Sequence, residues 1–394
     1  MSLQRWPAPP ACEALLTVPN YADAVTLLRD LSGPRGIHAS QASTANYRAI
    51  FARDGVMAGV AGLLLGDAAI TAGLVRTLEG LRDTQGAEGQ VASNFELRDD
   101  LPPKVSFGSL APRIDGATWY LLGVALAARR GVINPDDFEH SVRAAVRVLD
   151  VLEYNGRHLV YIPTGGNWAD EYIYDGYILY DQVVRAWALR LLGVTYEEHG
   201  WVDKAAHIAH RIDDAYWPDL RTASCHPVAS YTPVGRRDIF DLAACSLLAL
   251  SDLVPAMGGA ALNWITAEFL DAHRLPPAFH PVIDPGHPDW DALSRYHLHG
   301  FRNRPHEYHN GGIWPVWLGW LALALAHTGR THALASLTAL TTAQLRRTPD
   351  YGFEEYFHGA TGEALGTPQM AYSATGIVFI AHASADATRT LFHA

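Results

Sequence analysis

Apolar residues recur at helical spacing along nearly the whole chain, and strand-like alternation is almost absent. The pattern predicts helices over residues 21–31, 56–65, 68–81 and 115–130, then a run to 152 that starts at Asn134-Pro135. Further runs cover 177–192, 196–216, 238–252, 259–272, 312–327, 330–346 and 370–383, about twelve in all. They pair through short Gly or Asn turns, and long loops follow alternate helices, at 85–112, around 165–177, and at 217–236, 273–311 and 349–368. Val56–Leu65 and Ile313–Leu325 are apolar nearly all round, as helices buried on every side must be. Twelve helices in six hairpins can close into an all-α ring, an (α/α)6 barrel, whose long loops build one cleft at one end. An open solenoid of hairpins is the rival architecture, but no repeat of fixed period supports it. Residues 1–19 are Pro-rich and irregular, and no composition shift marks a boundary, so a single domain over 1–394 is expected.

Charge and cysteine content narrow the setting. A net charge of −11 disfavours nucleic acid and anionic membrane as partners and suits a neutral small molecule. Cys12, Cys225 and Cys245 are scattered and odd in number, without disulfide or zinc spacing, which favours a reducing, cytoplasmic compartment. No signal-peptide pattern opens the chain, and no apolar run is long enough to span a bilayer. Both a monomer and a homo-oligomer fit the sequence. No phosphate-binding loop with Lys, dinucleotide fingerprint or G-x-S-x-G elbow is present, so neither cofactor nor metal is expected.

The chemistry on offer is carboxylate chemistry. Gly165 to Tyr177 packs Asp170, Glu171 and Asp175 among Trp168, Tyr172, Tyr174 and Tyr177. A carboxyl against an aromatic wall loses hydration, its pKa rises, and it can stay protonated near neutrality, which protonation of a glycosidic oxygen requires. Asp170 is the leading candidate acid, although spacing alone does not separate it from Glu171 and Asp175. A second loop of acids among aromatics, Gly352 to Gly359, offers Glu354 or Glu355 as the base that activates water. Arg53-Asp54 and Asp115 sit where loops enter helices, and Trp119 follows Asp115 by four residues. Each acid is either a helix N-cap or an acceptor for sugar hydroxyls, with Arg53 positioning Asp54. In His306 to Pro315, the order His-Glu-x-His lacks the i, i+4 spacing of the helical zinc motif. Tyr308, His309 and Trp314 there either face a cleft or pack. A sugar-binding toroid without activity, and an isomerase using His306, His309 or His358, are the other readings.

These segments resemble the alkaline/neutral invertases, inverting glycoside hydrolases of (α/α)6 fold, in order from about Tyr47 to Ala383. Their wider clan includes glycogen-debranching glucosidases, trehalases and mannosylglycerate-type hydrolases. The carriers are Asn46–Asp54, Pro112–Trp119, Trp168–Asp170 with Gly176-Tyr177 and Asp181-Gln182, Tyr308–Pro315, and Glu355–Gly359 with Thr361-Gly362. The resemblance implies Asp170 as acid, Glu355 rather than Glu354 as base, and Asp54, Asp115, Tyr308 and His309 around a glucosyl subsite. Tyr47, Arg53, Trp119, Trp168, Gln182, Trp314 and Gln369 complete the expected substrate-binding set. It implies a small α-glucoside, sucrose first and a glucosylglycerate- or maltose-like molecule next. Two departures bear on sucrose: the family's two arginines after the acid are Glu171 and Tyr172 here, and its Lys after the base loop falls near Thr367 or Gln369.

Overall fold

A computed structural model describes residues 18–42, 47–108, 111–153, 156–295 and 300–393. Most of the irregular stretch expected over 1–19, with Cys12, and Asn46 of the first motif lie outside the described residues. Twelve helices of ten residues or more are present among the described residues: α1 Tyr21–Leu31, α2 Ala52–Leu65, α3 Ala68–Asp83, α4 Ile114–Arg129, α5 Glu139–Val151 and α6 Leu179–Thr195. The rest are α7 His199–Ala215, α8 Leu242–Ser251, α9 Pro255–Ile265, α10 Pro315–His327, α11 Thr331–Arg347 and α12 Ala371–His382.

The even-numbered helices form the inner ring. Each packs on the next, and α12 returns to α2, which closes the barrel. Their composition demands this place: all ten residues of α8 are buried, and so is every residue of α10 except His327. The odd-numbered helices lie outside and bury one stripe each, as α7 does with Ala205, Ile208 and Ile212. Gly66, at φ 64°, ends α2, and Asp67 caps α3 by accepting from the amides of Ala69 and Ile70, both at 3.0 Å.

The helices fall close to the spans that periodicity predicts, with starts displaced by four or five residues at α2, α5, α8 and α9. The run expected at 259–272 begins at Pro255 and ends in a π turn at Thr266–Leu270, because the Gly258-Gly259 pair inside it reads as a break. The long loops carry short strand pairs that periodicity is blind to. Ile50–Phe51 pairs with Asn94–Glu96, and Tyr177–Ile178 pairs with Ser230–Thr232. These two-residue strands lead directly into α2 and α6. The loops are thus sewn to the N-terminal ends of the inner helices.

Two glycines let the ring close. A Cβ on Gly376 of α12 would sit 2.1 Å from the Pro315 carbonyl oxygen, and one on Gly319 of α10 would sit 2.7 Å from the Gly376 Cα. Gly376→Leu is expected to cost about 3 kcal/mol or more, because backbone rather than a flexible side chain must yield. Urea unfolding measures it; a loss below about 1 kcal/mol would show that the helices separate easily.

Candidate active site

Four consecutive inner helices begin with a buried acid: Asp54 in α2, Asp115 in α4, Asp181 in α6 and Asp241 before α8. Helix N-termini carry partial positive charge, which offsets part of the burial cost. Asp54 and Asp115 are not N-caps, since those positions are Phe51 and Arg113. Arg53 spans them instead, at 2.8 Å from Asp115 and 3.3 Å from Asp54.

Above this floor opens a cavity of about 570 Å³. The expected residues Tyr47, Arg53, Asp54, Asp115, Trp168, Asp170, Tyr308, Trp314 and Glu355 all line it. Glu171 and Asp175 do not line it, and neither does Glu354, which turns back to accept from the Gly352 amide at 2.9 Å. The wall beside Asp170 is aromatic. Trp168 stacks on Phe279 at 5.4 Å, with the edges of Trp314 and Trp317 against it. Tyr172, buried, stacks on the other side of this cluster, 4.3 Å from Phe279.

Four expected contacts do not reach the cavity. Trp119 points into the ring core, where its Nε1 donates to the Tyr180 hydroxyl at 2.6 Å; one helical turn past Asp115 is one layer too deep. Gln182 is buried and uses its amide on the backbone of Val160 and Ile178. Gln369 is exposed and bonds Gln41. His309 lies behind Trp168, Tyr308 and Trp314, buried, with neither ring nitrogen hydrogen-bonded.

Other residues at the cavity escaped the sequence reading. Arg113 reaches Asp170 at 2.5 Å, and its place just before the helix-entry Asp115 was the available signal. Arg302 lies with its guanidinium 4.1 Å over the Tyr308 ring and grips both oxygens of Glu171. Nothing local marks Arg302, which comes from the His- and Pro-rich loop. Tyr372, in the first turn of α12, hides in an apolar run.

The electrostatics invert one expectation. Burial pushes the Asp170 carboxyl up, but neighbouring cations outweigh it and hold it below the usual carboxylate range. Arg113 leads them. His309, lowered to about 3 by burial, is uncharged near neutrality, so the remaining pull is that of Arg302. The residues of the loop showed the aromatic wall but not the arginine facing the acid. Glu355 is the raised carboxyl: burial lifts it against hydrogen bonds from the Thr367 amide at 2.9 Å and the Tyr47 hydroxyl at 2.8 Å.

A closed helical ring with carboxylates from distant loops around one sugar-sized cavity is the architecture of an (α/α)6 glycosidase, and this chain is a glycoside hydrolase. Residues 143–375 match the mannosylglycerate hydrolase MGH1-like glycoside hydrolase domain; the match spans more than half of the chain, and the chain belongs to that family. The motifs alone pointed to the alkaline/neutral invertases; the family match places the chain on the mannosylglycerate-type side of the same clan. No curated relative matches in sequence. Among solved structures, mannosylglycerate hydrolase of Thermus thermophilus with glucose is similar at TM-score 0.60 and 16% identity, over 92% of this chain and 99% of that one. A rhamnosidase from Klebsiella oxytoca with rhamnose bound gives TM-score 0.62 and 15% identity, over 95% of this chain and 65% of its own. A wild-type glycosidase gives 0.64 and 14%, over 97% and 100%. At such identities the likeness is one of fold. Among the described residues no helix is long and apolar enough to cross a membrane.

Proposed function

We propose that the protein hydrolyses a small α-hexoside with inversion, and that its aglycone is short and polar, of the glycerate type, rather than the fructosyl unit of sucrose. The observation that carries the reading is that Asp170 and Glu355, 185 residues apart, line one cavity among Trp and Tyr rings. Asp170 protonates the bridging oxygen. Glu355 takes a proton from water on the opposite face of the sugar ring, and inversion requires a gap of roughly 6.5–9.5 Å between the two carboxyls. Arg53, Asp54, Asp115, Tyr47, Tyr308 and Trp314 hold the sugar. The cavity size fits a disaccharide-sized ligand.

Several points favour glycerate over fructose. The family is the mannosylglycerate type, and the Thermus enzyme has also been solved with D-glycerate. The invertase arginines after the acid are replaced by Glu171, which is spent on Arg302, and by buried Tyr172. Arg113 and Arg302 put positive charge on the side of Asp170, where a carboxylate-bearing leaving group would depart. The test is a panel of glucosylglycerate, mannosylglycerate, sucrose and maltose followed by NMR. The β-anomer should appear first from a glycosylglycerate. Sucrose cleaved faster than either glycosylglycerate would return the invertase reading, and an α-anomer first would end the inverting one.

A second reading has one specific support. Glu355 is the carboxyl held high and Asp170 the one held low, which favours Glu355 as acid and Asp170 as base. The leaving-group experiment in the Discussion separates the two assignments. A pH profile adds to it. An acid works only while protonated, so activity falls as pH rises through its pKa. Arg113 holds Asp170 down, and Arg113→Met should therefore move the alkaline limb of kcat/KM to higher pH. With Asp170 as base, the same variant would instead move the acid limb upward.

A cytoplasmic setting also remains our proposal, supported by Cys225 and Cys245, which are buried and free.

A further inference from the structure

Beneath the loop that carries Asp170 lies a buried polar network with no part in the proposed chemistry. Asp181 and Asp241 are each 1% exposed. Asn167 links them: its Nδ2 donates to Asp181 Oδ2 at 2.8 Å and to the Tyr174 hydroxyl at 3.1 Å. Tyr174 in turn donates to Asp241 Oδ2 at 3.3 Å. The rest of Asn167 faces the acid. Its Oδ1 accepts from the Ala169 amide at 3.1 Å, and its carbonyl accepts from Arg113 Nη1 at 2.8 Å. The same guanidinium holds Asp170 through Nη2 at 2.5 Å. Asn167 lies only three positions before Asp170 in the chain, so a shift of Asn167 moves the arginine's anchor and the acid together.

We propose that Asp181, with Asp241 behind Tyr174, is a positioning residue for the hydrolysis. Through Asn167 it sets where Asp170 sits and how closely Arg113 grips it. The arrangement is costly to the fold. Asp181 Oδ1 is buried without a partner. Burial, with Asp115 and Asp241 near by, pushes the Asp181 carboxyl well above its ordinary range, and burial lifts Asp241 to about 7. An apolar side chain there would spare the unpaired oxygen but leave the buried Asn167 N–H without its acceptor. A carboxyl kept there serves the geometry of its partner. The proposal rests on Asp170 being the general acid.

The test uses the full chain and the glycoside it cleaves. Asp181→Leu leaves the buried Asn167 N–H without its acceptor and should lower the thermal midpoint. It should also lower kcat roughly 10²-fold with KM within about threefold, and shift the alkaline limb to higher pH as Arg113 loosens. The groups facing Asp170 are Arg113, His309, Arg302, Tyr47 and Tyr308, and only the first is tied to Asn167. Asp181→Asn, which keeps an acceptor for Asn167, should restore most of kcat and the parent limb. Asn167→Ala removes the link, leaves both carboxyls in place, and should reproduce the loss and the shift; it carries the test if Asp181→Leu does not fold. A parent-like kcat and limb in Asp181→Leu or Asn167→Ala overturns the proposal, as does a lowered midpoint with unchanged pH profile. Asp170→Asn runs beside them. If it keeps the parent rate on a poor leaving group, the acid assignment falls; if it is inactive while Asn167→Ala is unchanged, only the positioning role falls.

Discussion

Asp170→Asn lowers kcat/KM on an unactivated glycoside by roughly 10²–10⁴-fold, yet leaves hydrolysis of the matching glycosyl fluoride within about tenfold of the parent. An alkoxide leaving group needs a proton in the transition state, whereas fluoride departs without one. The isosteric amide keeps the volume beside Trp168 and an oxygen for Arg113, so sugar binding is retained. KM for the fluoride should change little. Equal losses on both substrates would remove Asp170 from the role of acid. The stability of the variant offers a control: the carboxyl is held low by Arg113 in the folded state, so its ionic stabilisation exists above the ordinary carboxylate pKa and fades as pH falls through the lowered value. The amide variant should therefore lose a little stability near neutrality and none in acid.

Glu355→Gln behaves differently: it loses roughly 10²–10⁴-fold on both the glycoside and the fluoride. Water must be activated whichever group leaves, and the amide takes no proton. Tyr47, Tyr372 and the Thr367 amide hold both oxygens of Glu355 and fix the direction in which its remaining lone pairs point. A variant active on the fluoride but not on the glycoside would instead make Glu355 the acid, as its raised carboxyl suggests. The two variants together thus yield opposite patterns under the two assignments, and no pattern fits both.

The helices were legible because helical periodicity is a local property. The nearly all-round apolar character of α2 and α10 even indicated that these two helices face inward. The two loops holding Asp170 and Glu355 could be singled out because acids among aromatics are unusual there. Spacing did not separate Asp170 from Glu171 and Asp175, however, and Glu355 was preferred to Glu354 only through the family resemblance. Trp119 and Gln182 show the limit. Both lie on inner helices near the ring's acids, but a helix turns its residues through every direction, and only the packed ring says which way each one faces.

The linear chain by itself determined the approximate number of helices, the inward place of two of them, and the carboxylate character of the chemistry, since these follow from side-chain type and short-range spacing. The electrostatic setting was decided by the closed ring alone. Arg302 meets Glu171 across 131 residues, and Arg113 meets Asp170 across 57. A charge acts through distance in space, and those distances exist only once all six hairpins have come together.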